Sequence, residues 1–491
     1  MIQVRLSTSE VASSEPSSGP NSASSNPPGR TPGGLQGGAA RPDFFPGTQA
    51  AAAGRARFFP GVTDEEWNDW KWQFRNRITT LDELYRLLPF PTEQWGKLRE
   101  VLKDFRMGIT PYYFSLIDPA DPDDPILRQV VPLEEEFVFR AVGDEDPLGE
   151  EQYSPVPGIT HRYPDRVLMV ISNSCAIYCR YCTRKRIMYE DATPDVEIDA
   201  MVDYIARTPQ VRDVIVSGGD PLTYSTAKLE RILSKLRAVP HLEIIRIGTR
   251  VPVSLPQRID GELVDMLAQY HPVWINVHFN HPREVTSDAA RACDKLIRAG
   301  IPLNNQAVLL KGVNDSVDSM KGLVHGLMKM RVRPYYVYQC DPIRGGEHFR
   351  TPISKGLEIM EGLRGHTSGL AIPTFVVDAP GGGGKIPVAP QYLLHYDEKQ
   401  GRALLRNFQG KVFEYLEPAY TRQRAGRAKV SESDLSRVGG ELVSKRPGGP
   451  HAKGNGLRAG NGSRTGPELP VVGKSSWVHR GHNVRGPGCG S

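Results

Sequence analysis

A regular alternation between residues 166 and 364 constrains this chain more than any other feature. Short β-branched runs at 166–172 (RVLMVIS), 211–218, 242–248, 273–279, 302–310 and 331–339 are each followed by a helical pattern, at 196–207, 226–238, 259–270, 286–299, 315–330 and 352–364. Strands that are apolar along their whole length are buried on both faces, and strand–helix–strand crossovers are right-handed. Six such units predict an α/β fold, a parallel sheet curved into a partial (β/α)6 barrel with helices outside; a full eight-unit barrel is the alternative. Chemistry in these folds sits at the carboxyl ends of the strands.

Unusual residues gather at those ends. After the first run comes SNSCAIYCRYCTRKR (172–186), with Cys175, Cys179 and Cys182 at C-x3-C-x2-C spacing. Three thiolates on one short loop can hold soft metal ions or an iron–sulfur cluster, and three ligands leave one cluster iron open. A structural zinc site needs a second Cys pair or an H-x3-5-H, and none follows nearby. Spacing alone leaves cluster and other uses equally open. Ser217, Gly218, Gly219 and Asp220 follow the second run, Thr249 and Arg250 the third, and His278 lies near the end of the fourth. Gln306 is on the fifth, and Tyr338, Cys340 and Asp341 end the sixth. Further on, FVVDAPGGGGK (375–385) places Asp378 and Lys385 around four glycines. Ile386 after the lysine excludes a P-loop. A sheltered lysine can instead form a Schiff base with a carbonyl cofactor.

Composition sets the ends of the folded part. Residues 1–57 are rich in Ser, Pro, Gly and Ala and are expected to be disordered. A helical region is expected over 58–150, opened by the cap Thr63-Asp-Glu-Glu66 and anchored by Trp67, Trp70 and Trp72. The catalytic domain is then 151–418. Beyond it, residues 421–491 carry thirteen Lys/Arg against four Asp/Glu, a net +9 that leaves the rest of the chain at −4 within an overall +5. A basic, Gly- and Arg-rich tail of this kind is solvated and disordered, so nucleic acid is not an expected partner. No apolar run is long enough to span a membrane, and residues 1–40 lack a signal-peptide pattern, so the cytoplasm is the expected location. Six cysteines among 491 residues, half of them bunched, fit a reducing compartment.

Together these motifs resemble the radical S-adenosylmethionine enzymes, and among them the lysine 2,3-aminomutase family. The likeness runs over about 67–418 and includes HRYPDR (161–166), the cysteine loop, SGGDPL, RIGTRVPV, HFNHP, PYYVYQCD, HFRTP, GLRGHTSG and VVDAPGGGGK. It implies a barrel of the radical S-adenosylmethionine type. It further implies that Cys175, Cys179 and Cys182 bind a [4Fe–4S] cluster, whose open iron chelates S-adenosylmethionine. Ser217, Gly218, Gly219, Asp220 and His278 then match the residues around that cofactor. Lys385 matches the lysine that carries pyridoxal 5′-phosphate, with Arg162, Arg166, Gln306 and Tyr338 beside it. By the same likeness Arg184 receives the substrate carboxylate, while Asp341 and Asp378 hold a distal ammonium.

What the resemblance implies is an intramolecular aminotransferase, an isomerase that moves the α-amino group of L-lysine to C3. Arginine or another cationic amino acid is the alternative substrate. Glutamate mutases of the family lack the acidic pair. A different class of reading, a nucleic-acid-associated or scaffold protein acting through the basic tail, needs none of the cysteines or Lys385. The family also implies an electron donor of flavodoxin or ferredoxin type and a homo-oligomer. One departure stands out: the C-x-C-x2-C group that, with a Cys matching Cys293, holds zinc between subunits has no counterpart in 417–430, so zinc is not expected. Cys293 alone reads as a small core residue.

Overall fold

The computed structural model describes residues 45–188 and 195–418. Twelve strands occur among them: β1 (Ile159–Tyr163), β2 (Arg166–Ser172), β3 (Asp213–Gly218), β4 (Ile244–Gly248), β5 (Val273–Val277), β6 (Leu303–Leu309), β7 (Arg333–Gln339), β8 (Thr374–Ala379), β9 (Gly384–Pro387), β10 (Leu393–Asp397), β11 (Arg402–Arg406) and β12 (Val412–Leu416). The first nine form one sheet in strictly sequential order. Strands β2 to β8 pair in parallel, and β1 and β9 are added antiparallel at the two edges. A sheet that never reverses its order has no switch-point crevice, and its twist curls it into a barrel. The two edges meet across the seam through a hydrogen bond from the Lys385 backbone N–H to the Tyr163 hydroxyl at 3.0 Å, so the barrel is nearly closed.

The six parallel strands read from the sequence are β2 to β7, each within two residues of its observed start and end. The parallel set has a seventh member, β8, formed by the residues that lead into the glycine run. Outer helices follow the expected pattern, and four of them begin at a side chain that accepts a hydrogen bond from the first turn. Ser225, Asp260, Thr286 and Ser316 cap the helices Thr226–Arg237, Gly261–Ala268, Ser287–Arg298 and Val317–Lys329. Their apolar faces and the strand interiors form one core that includes Val214, Ile245, Ile275, Leu296 and Leu327, all buried.

Thr63 and Glu66 form the expected capping box, but the helix they open ends at Asn68. Asp69 is extended and caps a second helix, Trp70–Arg75. Trp67 is buried among Phe59 and Tyr112, which fits its reading as an anchor. One expectation is corrected: helix Thr48–Phe58 lies almost wholly within the stretch read as disordered. Its sequence, TQAAAAGRARF, is poor in large apolar residues but rich in alanine, the strongest helix former. Gly54 lets it lie directly on the backbone of Ser115, where a Cβ would sit 1.9 Å from the carbonyl oxygen. Residues 1–44 and the basic tail from 419 lie outside the described residues. Strands β10 to β12 form a separate antiparallel sheet. No helix among the described residues is long and apolar enough to cross a membrane.

Candidate active site

The cysteine loop has little regular structure of its own, and contacts from outside hold its shape. Arg180, fully buried between Cys179 and Tyr181, forks onto Glu136 with Nε–Oε1 2.9 Å and Nη2–Oε2 2.8 Å. Its Nη1 donates to the carbonyls of Phe105 (3.2 Å) and Arg106 (2.9 Å), and its backbone N–H donates to Gln129 O at 2.8 Å. Arg77 donates to the Cys175 carbonyl, and Tyr178 N–H to Gly108 O. On the barrel side Arg250 Nη1 lies 2.7 Å from Cys179 Sγ, while its Nη2 donates to Glu284, Gln129 and Tyr113. Burial, followed by nearby Asp220 and the neighbouring thiols, pushes the Cys175 thiol well above its ordinary pKa; burial and Cys179 push up Cys182.

The SGGD turn at the end of β3 packs directly on this loop. Gly218 has φ +130°, and a Cβ there would lie 2.2 Å from Ser172 O; one on Gly219 would lie 2.4 Å from Ser174 O. Asp220 accepts from Thr249 Oγ1 (2.7 Å), Arg250 N–H (2.7 Å) and Leu222 N–H (3.1 Å). Its carboxylate therefore ties the β3 and β4 loops together, although burial raises its pKa to about 6. His278 lies 2.8 Å from the Tyr181 hydroxyl and stacks on that ring, and burial, with Arg250 nearby, lowers its pKa to about 3. It is neutral at pH 7.

Lys385 and Asp378 are direct partners in the β8–β9 ladder. That register sets Lys385 Nζ 3.0 and 3.2 Å from the two Asp378 oxygens and 5.2 Å above the Tyr338 ring. Asp341 follows β7, and burial plus the charge of Asp378 raise its pKa to about 7. Arg184 gives Nε and Nη2 to Glu150 and Nη1 to Ser217 Oγ.

These side chains line two adjoining cavities. One, of about 300 Å³, holds Cys175, Cys179, Cys182, Gly218, Gly219, Asp220, His278, Asp341 and Asp378. The other, of about 530 Å³, holds Arg162, Tyr163, Arg166 and Tyr336. Arg184, Ser217, Gln306, Tyr338 and Lys385 line both. Every site residue read from the sequence is thus on one of the two walls. Glu150, Tyr163 and the Arg250 network were not picked out as site residues; position at the end of the third strand was the one available signal, and it pointed to Arg250.

Among the described residues no three His, Cys, Asp or Glu side chains converge on a single metal-ion position. Three thiols that each bind a different iron of a cluster need no such convergence, and the cysteines share a wall with the SGGD turn. In the second cavity the buried Arg162 Nε has no hydrogen-bond partner among the described residues, and Arg166 lines the same cavity. Two arginines with an orphaned donor suit a phosphate.

Residues 169–322 match the Radical SAM superfamily and residues 360–439 match Lysine-2,3-aminomutase. The L-lysine 2,3-aminomutase of Clostridium subterminale is 57% identical over 359 residues, covering 73% of this chain and 86% of that protein. The chain belongs to the lysine 2,3-aminomutase family. Membership of the radical S-adenosylmethionine superfamily carries with it a [4Fe–4S] cluster and S-adenosylmethionine. Within the family, the enzyme from Bacillus subtilis is 52% identical over 359 residues (73% of this chain, 76% of that protein). The glutamate 2,3-aminomutase of Clostridioides difficile is 47% identical over 352 residues (71% and 83%). Cys293, fully buried on helix Ser287–Arg298, is a core residue of this family member, and burial pushes its thiol up to about 12.

Proposed function

We propose that this aminomutase moves the α-amino group of L-lysine to C3, yielding β-lysine. The observation that carries the choice of substrate is the pair Asp341 and Asp378 on one cavity wall, with an alkylammonium, that of Lys385, already held 3.0 Å from Asp378. A site that holds one lysine ammonium on a carboxylate in a partly buried cavity has the chemistry to hold another.

Cys175, Cys179 and Cys182 would ligate the cluster, and Ser217, Gly218, Gly219, Asp220 and His278 would shape the S-adenosylmethionine pocket. Because Asp220 spends its carboxylate on Thr249, Arg250 and Leu222, its contribution is to fix the turn, leaving backbone groups to meet the methionyl amine. Neutral His278 can accept or donate one hydrogen bond without adding charge. Lys385 would carry pyridoxal phosphate, with Arg162 and Arg166 at the phosphate and Gln306 and Tyr338 along the ring. When bound, the two cofactors supply a radical able to take hydrogen from an unactivated carbon and a carbonyl that carries the migrating nitrogen. Arg184 would bind the substrate carboxylate while Asp341 and Asp378 bind its ammonium; fixing both ends presents C3 to one cofactor and the α-nitrogen to the other.

A reducing, cytoplasmic setting with a low-potential donor of flavodoxin or ferredoxin type suits such a cluster. A homo-oligomer is supported by exposed Phe413, Tyr415 and Leu416 on β12. Reconstitution with iron, sulfide and pyridoxal phosphate without oxygen tests the reading, with lysine and arginine assayed side by side. Cluster absorbance, pyridoxal absorbance and β-lysine formation are expected; turnover of arginine in preference to lysine would overturn the substrate assignment.

A further inference from the structure

Arg184 has five N–H donors arranged along two edges, and the structure shows one edge already taken. Glu150 Oε1 lies 2.8 Å from Nη2 and 3.2 Å from Nε, and Oε2 lies 3.3 Å from Nε. Among the described residues only a 3.4 Å contact to Ser217 Oγ engages Nη1. A planar guanidinium binds a carboxylate in bidentate fashion through a single edge, so occupying Nε/Nη2 leaves Nη1/Nη2 as the edge for a ligand. Both residues are largely buried, with side chains 17% and 11% exposed.

Glu150 is itself fixed. Arg186 bonds to it at 3.4 Å and also to Asp146 and Glu151, each at 3.1 Å. The same segment also reaches two other parts of the site. Leu148 O accepts from Arg162, Asp144 N–H donates to Pro342 O at 2.8 Å, and Arg344 N–H donates to Asp144 O at 2.9 Å. Pro342 adjoins Asp341. Glu150 therefore sits on a strap whose position is set against Arg162 of the second cavity and against the loop that carries Asp341.

We propose that Glu150 is a positioning residue that turns the Nη1/Nη2 edge of Arg184 toward the substrate carboxylate, at a fixed span from Asp341, and so makes the site selective for α-amino acids over simple diamines. The inference rests on the reading of Arg184 as the carboxylate-binding residue. Burial opposes the charge on Glu150, but Arg184 and Arg186 more than offset it and hold the carboxyl below its usual range, so the anion persists at neutral pH.

The test uses reconstituted holoenzyme and two probes: L-lysine and 1,5-diaminopentane, which is lysine without its carboxylate. Apparent affinity is read from the ligand-dependent change in pyridoxal absorbance, alongside KM and kcat for lysine. Glu150→Gln should weaken lysine about tenfold, with KM rising more than kcat falls, as expected for a lost charged contact that orients a binding group. Affinity for 1,5-diaminopentane should change less than about twofold on the same ground. Glu150→Asp should restore part of the loss, and iron content and pyridoxal loading should stay at wild-type levels in both. Equal weakening of both probes would mean a structural role and overturn the proposal. Tighter lysine binding would also overturn it, since Glu150 would then be a competitor that the substrate must displace. Arg184→Gln separates the two layers. If it leaves the preference for lysine over the diamine intact, the reading of Arg184 fails and this proposal with it; if it abolishes that preference while Glu150→Gln does not alter it, Glu150 alone is refuted.

Discussion

Replacing Asp378 by Asn tests the substrate assignment in two independent ways. The residue provides one of two carboxylates in the cavity, and its oxygens already hold an ammonium at 3.0 and 3.2 Å. Removing one partner of a largely buried ion pair costs about 2–3 kcal/mol, or roughly 30- to 150-fold in kcat/KM for lysine. The second signature is in the pH profile. Asp341 is raised to about 7 by burial first and by Asp378 second, so in the wild type the proton that Asp341 takes up below pH 7 must leave before the substrate ammonium can be held. Lysine kcat/KM should then fall about tenfold per pH unit on the acid side. Asp378→Asn removes the like charge, Asp341 ionises at lower pH, and the acid limb should move down by roughly one unit even as the plateau drops. Both are read by β-lysine formation across pH 5.5–9 in oxygen-free assays. A plateau within about threefold of wild type, or an acid limb that does not move, would refute the ammonium-clamp argument.

Three further outcomes follow from the same geometry. Glu136→Gln leaves the fully buried Arg180 guanidinium short of its counter-charge, which should cost about 3–5 kcal/mol and lower the iron bound per chain after reconstitution, measured against thermal unfolding. Gly218→Ala forces a Cβ to 2.2 Å from Ser172 O at φ +130°; a loss of at least about 2 kcal/mol and failure to retain the cluster are expected, both visible by calorimetry and iron analysis. Asp341→Asn should stabilise the cofactor-free protein at pH 8 by about 4 kcal/mol and leave it nearly unchanged near pH 4. The sign follows because the folded carboxyl holds its proton up to about pH 7 whereas an ordinary one releases it near 3.8. Wild-type stability therefore falls as pH rises through that window, and the amide removes the fall, as melting temperatures at the two pH values will show.

Legibility in the sequence tracked how local each signal was. Strands β2 to β7 were readable because runs such as RVLMVIS are nearly continuously apolar, and the helices between them because a helical pattern fills each gap; the caps Ser225, Asp260, Thr286 and Ser316 agree with those starts. Strands at or next to the edges gave no such signal. ITHRY of β1 is mostly half-buried and polar, and β8 and β9 flank a glycine run that reads as a loop. The pairing of Asp378 with Lys385 is a matter of ladder register, which spacing alone does not disclose. Cys175, Cys179 and Cys182 could be singled out because cysteine is rare in the chain and three lie together, and Lys385 because it ends a run of four glycines. Glu150 could not: it lies on a loop 34 residues from Arg184, and an acidic residue in an acidic stretch carries no mark until the fold brings the two together.

The helical region that precedes the barrel is therefore part of the active site rather than an appendage to it. A loop that must present three thiols in fixed relation cannot be held by its own backbone when it has so little hydrogen-bonded structure within it. Here the constraints arrive through Glu136, Gln129, Gly108, the carbonyls of Phe105 and Arg106, and Arg77, all contributed by residues before β1. The same region reaches the barrel side of the loop, since Tyr113 and Gln129 share with Glu284 the guanidinium that approaches Cys179. A buried arginine ringed by these groups has no room to relax, so displacing the helices would release the thiols from both sides at once. The barrel provides the mouth, and the segment before it provides the rigidity of the loop proposed here to hold a cluster.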